Sequence, residues 1–101
     1  MFRGTTPTLN FKFKYNLEEL NIIALYYTFK QNDTVVFEKS LSDITITNNI
    51  ISISLTQEET LKISADSIVK IQGRFLIDNK AYATNVIQVK ASDILKDGVI
   101  T

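Results

Sequence analysis

Hydrophobic and polar residues alternate with a period of two along most of this chain, the pattern of a strand with one face buried and one face wet. Leu9, Phe11 and Phe13 share one phase, opposite Asn10, Lys12 and Lys14. In the run from Ile22 to Lys30, Ile23, Leu25, Tyr27 and Phe29 lie on one face and Ile22, Ala24, Tyr26 and Thr28 on the other; its density of β-branched and aromatic residues predicts a central strand. Gln31-Asn32-Asp33 supplies a turn, and Thr34–Lys39 returns as its hairpin partner. Ile44–Thr47 and Ile50–Leu55 flank Asn48-Asn49, a pair that tolerates the positive φ of a tight hairpin loop. Ile68–Ile77 and Lys80–Lys90 pair across Asp78-Asn79-Lys80, with Asn85 marking a bulge or kink in the last long strand.

The alternation is broken by helical start signals. Thr56 and Glu59 have the spacing of a capping box, in which the threonine hydroxyl accepts from the Glu59 amide and the carboxylate accepts from the amide of Thr56. The short turn predicted there carries the chain from one sheet to the other. Asn16 and Glu19 repeat the spacing and predict a second turn; Ser92 is placed to cap a last one over Asp93 to Leu95, ending near Gly98. The expected fold is all-β: a single Ig-like antiparallel β-sandwich over residues 1–101, with about seven strands, one or two short helical turns, an extended lead-in (1–8) and a C-terminal tail (96–101). The inward phase nominates as core Leu9, Phe11, Phe13, Ile23, Leu25 and Phe29 from the first half, with Ile51, Ile53, Leu55, Leu61, Ile71, Phe75, Val86 and Val89 from the second.

Composition narrows the chemistry. The chain contains neither cysteine nor histidine, which excludes disulfides, thiolate or imidazole metal ligation and the usual catalytic triads. Eleven basic and 11 acidic residues are interspersed without a basic run, so nucleic acid is not an expected partner. The longest apolar runs are too short to span a membrane, and no apolar leader follows Met1-Phe2-Arg3-Gly4. The carboxylate pairs Glu18/Glu19 and Glu58/Glu59 have an acid–base reading and a capping reading. Capping is preferred, because neighbours on one turn point apart and acidic groups suit a helical start. The aspartates are scattered singly, without calcium-loop spacing. Tyr26, Tyr27, Phe29 and Phe37 read as strand and core residues, or as an aromatic platform.

Two stretches, Gly4-Thr5-Thr6-Pro7-Thr8 and Leu55-Thr56-Gln57-Glu58-Glu59-Thr60-Leu61, resemble a group of small proteins of tailed phages and prophages of Gram-positive and other gut bacteria. The strand Ile68–Ile77, the segment Ala81–Val89 and the closing residues Asp93 to Ile100 also resemble that group, which is similar in size and strand pattern to the N-terminal β-sandwich of phage upper baseplate proteins. The resemblance implies a non-enzymatic structural or adaptor protein of the tail, baseplate or head exterior. It would be made in the bacterial host cytoplasm and incorporated into the virion, without cofactor, in contact with other virion proteins, as a homo-oligomer or multi-copy assembly. The alternative is a receptor- or carbohydrate-binding module of the particle. Thr5, Thr6 and Pro7 in the lead-in, and Val99 and Ile100 beyond the stop at Gly98, are the expected assembly contacts, because such ends either fray or pair with a neighbour's sheet edge.

Overall fold

A computed structural model describes residues 1–101. Eight strands form two antiparallel sheets: β1 (Thr8–Lys12), β5 (Ile50–Ser54) and β4 (Ile44–Thr47), in that order, face β3 (Thr34–Ser40), β2 (Ile22–Gln31), β6 (Ile68–Ile77) and β7 (Lys80–Ala83). The eighth, β8 (Ile87–Lys90), pairs with β6 on the side that β7 occupies. A five-residue helix, α1 (Gln57–Leu61), joins β5 to β6, and single 3₁₀ turns precede β2 and β4. This is the wiring of an Ig-type sandwich, with β1, β5 and β4 in the places of its second, fifth and fourth strands and β2, β6 and β7 in those of its third, sixth and seventh, β3 being an added edge strand beside β2. The first Ig strand is missing as a ladder strand. Only Phe2, bridged in parallel to Ser92, stands near its place.

Local sequence explains most of the elements. The hairpin β2–β3 turns on Asn32 and Asp33, both with positive φ, the signature of a type I′ turn whose twist matches the strands; Asn48 and Asp78 supply the positive φ of the other two hairpins. Alternation in β6 buries Val69, Ile71, Gly73 and Phe75 and leaves Ile68, Lys70, Arg74 and Leu76 outside. Buried residues of β2, β5 and β6 form the centre of the core, which Leu17, Phe37, Ile63 and Ala91 close from the connections and edges.

Several expectations are corrected. Lys80–Lys90 is two strands rather than one, which raises the count to eight. The break falls at Thr84, whose amide donates to Gly73 O at 2.9 Å while its hydroxyl accepts from Gly73 N at 3.0 Å, so one residue satisfies both main-chain groups of Gly73. Asn85 and Val86 leave the ladder there, and Val86 is exposed rather than core. Ile23 is 53% exposed because the β2–β6 register slips between Ile22 and Ala24; the bulge hands the inward position to Ile22. Leu9, Phe11, Phe13 and Val89 are only partly buried against the core, and Leu61 is half-buried. Ser92 caps no helix. Its main chain is taken by the N-terminus instead, with Ser92 N donating to Met1 O and Arg3 N to Ser92 O.

Candidate functional site

The capping residues behave differently from one another. At α1 the full box forms: Glu59 N donates to Thr56 Oγ1 at 3.1 Å and Thr56 N to Glu59 Oε1 at 2.9 Å. Glu59 also meets Lys39 Nζ at 2.8 Å. Partial burial disfavours its charged form, but the Lys39 ammonium and the Thr56 amide outweigh that, and its pKa falls below the usual glutamate value. Asn16 caps its 3₁₀ turn by accepting from Glu18 N at 3.1 Å, whereas Glu19 returns no bond and is exposed. Glu19 is therefore not a cap; a single 3₁₀ turn already ties its amide to Asn16 O. A third cap stands at Ser40, whose amide and hydroxyl both donate to Asp43 Oδ2 at 3.1 Å. Its signal in the sequence is the same four-residue spacing, with aspartate in place of glutamate.

The lead-in, the segment 55–61 and the C-terminal tail converge around α1. Thr60, fully buried, donates from Oγ1 to Thr5 O at 2.8 Å. Gln57 and Ile100 exchange two bonds, Ile100 N to Gln57 Oε1 at 2.9 Å and Gln57 Nε2 to Ile100 O at 3.2 Å. Leu55 N donates to Pro7 O, so the lead-in is held along α1. Arg3 completes the knot: Nε donates to Ile63 O at 2.7 Å, Nη2 to Leu61 O at 3.1 Å, and Nη1 reaches Asp93 at 3.0 Å and Asp97 at 3.5 Å. The guanidinium thus satisfies carbonyls left unpaired after the helix, a function that ordinary C-caps perform. Nothing in the local pattern around Arg3 signals it. Both ends are therefore anchored within the chain rather than frayed, although Thr5, Thr6, Val99 and Ile100 remain exposed.

A cleft of about 980 Å³ opens on the side of the sandwich where the first Ig strand is missing, between β1 and β7 and away from α1. Phe11, Phe13, Tyr27 and Phe75 make its floor, and Tyr15 and Tyr82 stand on its rim, 73% and 50% exposed. The floor is a cross-sheet aromatic cluster. Phe11 stacks on Tyr27 at 4.8 Å between ring centres, and Phe75 meets Phe13 edge-on at 5.8 Å and Tyr27 at 6.5 Å. Gly73 makes room for it, because a Cβ there would lie 2.7 Å from Tyr27 Cζ. Burial pushes the Tyr27 phenol up to about 12, so the floor is uncharged.

No protein-family model, curated protein or solved structure matches the chain. The chemistry of the cleft follows from its lining. Lys12 is its only charged residue and it contains no carboxylate. Of its polar groups, Asn10 Oδ1 already accepts from Ser52 Oγ at 2.6 Å, and the Thr84 hydroxyl is engaged with Gly73 N and Asn85 O. Nowhere do three carboxylates gather as a metal site. Of the aromatic residues singled out from the sequence, Tyr27 reaches the cleft; Phe29 and Phe37 stack on each other at 4.4 Å in the core, and Tyr26 lies on the outer face of the second sheet. No local signal in the sequence pairs Tyr15 with Tyr82, since one follows β1 and the other lies on β7 and only the fold brings them together.

Proposed function

We propose that this chain is a non-enzymatic structural or adaptor module of a tailed-phage particle, present in many copies and working through contacts with other virion proteins. The observation that carries the reading is the cleft on the open side of the sandwich. Its floor is aromatic, its walls are two strands with one partner each, and 11 of its 15 lining residues are hydrophobic, which suits an apolar polypeptide surface better than a reacting substrate. The resemblance of residues 4–8 and 55–61 to phage proteins supplies the setting. Mass spectrometry and electron microscopy of particles purified from an induced host culture test it. The protein is expected at a fixed multiple of the symmetry of the tail, baseplate or head; its absence from intact particles overturns the reading.

A second reading, a receptor- or carbohydrate-binding module, is favoured by one observation: the two exposed tyrosines on the rim offer flat faces to a sugar ring. It predicts saturable binding to host-wall oligosaccharides that Tyr82→Ala abolishes.

A further inference from the structure

The cleft is open because a strand is missing, and both its walls are strand edges. β1 pairs only with β5 and β7 only with β6, so each presents main-chain N–H and C=O groups outward without a ladder partner. All four residues of β7 are exposed. On the β8 side of this edge the chain already adds a piece of strand to itself. Phe2 lies parallel beside Ser92, with Arg3 N donating to Ser92 O at 3.0 Å and Ser92 N to Met1 O at 2.7 Å. At Gly4, with φ +68, the lead-in turns away toward β1, and the rest of the edge, along β7, is left uncovered.

Resting on the adaptor reading above, we propose that the cleft takes an extended segment of a partner polypeptide as an added strand on the β7 edge, continuing the augmentation that Phe2 begins. Alternate apolar side chains of the segment seat on Phe11, Phe13 and Phe75, and its other phase faces solvent. With Lys12 as the one charge and no carboxylate in the lining, the segment carries an acidic or neutral polar residue over Lys12 and no basic one. A glycan fits less well, since 11 of the 15 lining residues are hydrophobic and Asn10 Oδ1 and the Thr84 hydroxyl are already engaged.

The test titrates the isotope-labelled full chain with a synthetic peptide of about eight residues, alternating valine and threonine with one central aspartate. A counterpart has two adjacent central residues replaced by proline, which removes main-chain donors in both phases. The first peptide is expected to shift the amide signals of Lys80–Ala83 and slow their hydrogen exchange, and the counterpart to bind about tenfold more weakly or worse. Tyr82→Glu, or Tyr15→Glu should the first variant fold poorly, sets a carboxylate against the peptide's aspartate and is expected to lose the peptide while keeping the parent's melting curve. Lack of saturable binding, equal binding of the proline counterpart, or shifts confined to residues outside the cleft overturn the proposal. So does displacement of the peptide by a host-wall oligosaccharide, or a concentration-dependent dimer that covers β7. Peptide binding by a protein absent from particles keeps this inference and sinks the adaptor reading; a virion protein that ignores the peptide does the reverse.

Discussion

Gly73 and Tyr27 show how a single position shapes the open side of the sandwich. They are register partners on β6 and β2, and the tyrosine ring lies across the glycine where any side chain would collide with it. Gly73→Ala is expected to cost about 1–3 kcal/mol in urea denaturation, by displacing a buried ring. The same ring makes stability sensitive to alkali. Its folded pKa, about 12, lies above the ordinary 10, so the unfolded chain gives up the proton first. The resulting stabilisation is complete below pH 10 and is lost as pH rises through 12, a fall of about 2–3 kcal/mol. Tyr27→Phe is expected to flatten that limb of a stability–pH profile. On the outer face of the same sheet Lys30 stands directly opposite Lys70, and neither forms an ion pair. Lys70→Glu is expected to raise stability by about 0.2–1 kcal/mol, a gain that high salt erases.

Among the elements, α1 depends most on a few named groups, since five residues cannot hold a helix by propensity alone. Thr56→Ala removes one half of its capping box and is expected to cost about 0.5–2 kcal/mol in chemical denaturation. Glu59 adds a pH dependence of the opposite sign to that of Tyr27. Because Lys39 and the Thr56 amide hold its folded pKa below the usual value, its contribution is present above the unfolded pKa and is lost as pH falls through the folded one. Glu59→Gln is expected to remove that acid limb. The two members of the expected box at residues 16–19 should separate in the same assay: Asn16→Ala is destabilising, and Glu19→Ala leaves the midpoint unchanged.

At the scale of the whole molecule, the two ends of the chain are joined through Arg3, whose side chain is 18% exposed and bonds to residues about 60 to 90 positions away. Arg3→Ala strips the partners from Leu61 O and Ile63 O together and unpairs Asp93. It is expected to cost about 1–3 kcal/mol and to accelerate proteolysis of both termini. Deleting residues 98–101 is milder, since it removes only the Gln57–Ile100 exchange between solvent-exposed groups and leaves Arg3 and Asp93 in place. The melting temperature is expected to drop by only a few degrees at most. On the proposed adaptor role, a truncated protein excluded from particles that the parent enters would place Val99 and Ile100 in an assembly contact, and one that enters normally would favour the cleft.

The sequence by itself determined the class of fold, the three hairpins and the cap of α1, because each is encoded within a few residues. Alternation sets which face of Leu9 to Phe13 or Val69 to Ile77 turns inward; Asn32, Asp33, Asn48 and Asp78 accept positive φ; Thr56 and Glu59 sit one turn apart. Tertiary structure decided what depends on distant partners. A register slip against β6 put Ile23 outside, and the hydroxyl of Thr84 bonding across to Gly73 split the last strand in two. The Arg3 knot needs Leu61, Ile63 and Asp93 brought beside the N-terminus. The cleft is of the same kind. Phe11, Phe13, Tyr15 and Tyr82 each follow from a local strand or turn pattern, but the cleft exists only because β1 and β7 end up as facing edges with no strand between them. Periodicity reports a residue's own side of its own sheet, and which two edges meet is settled by the packing of one sheet on the other.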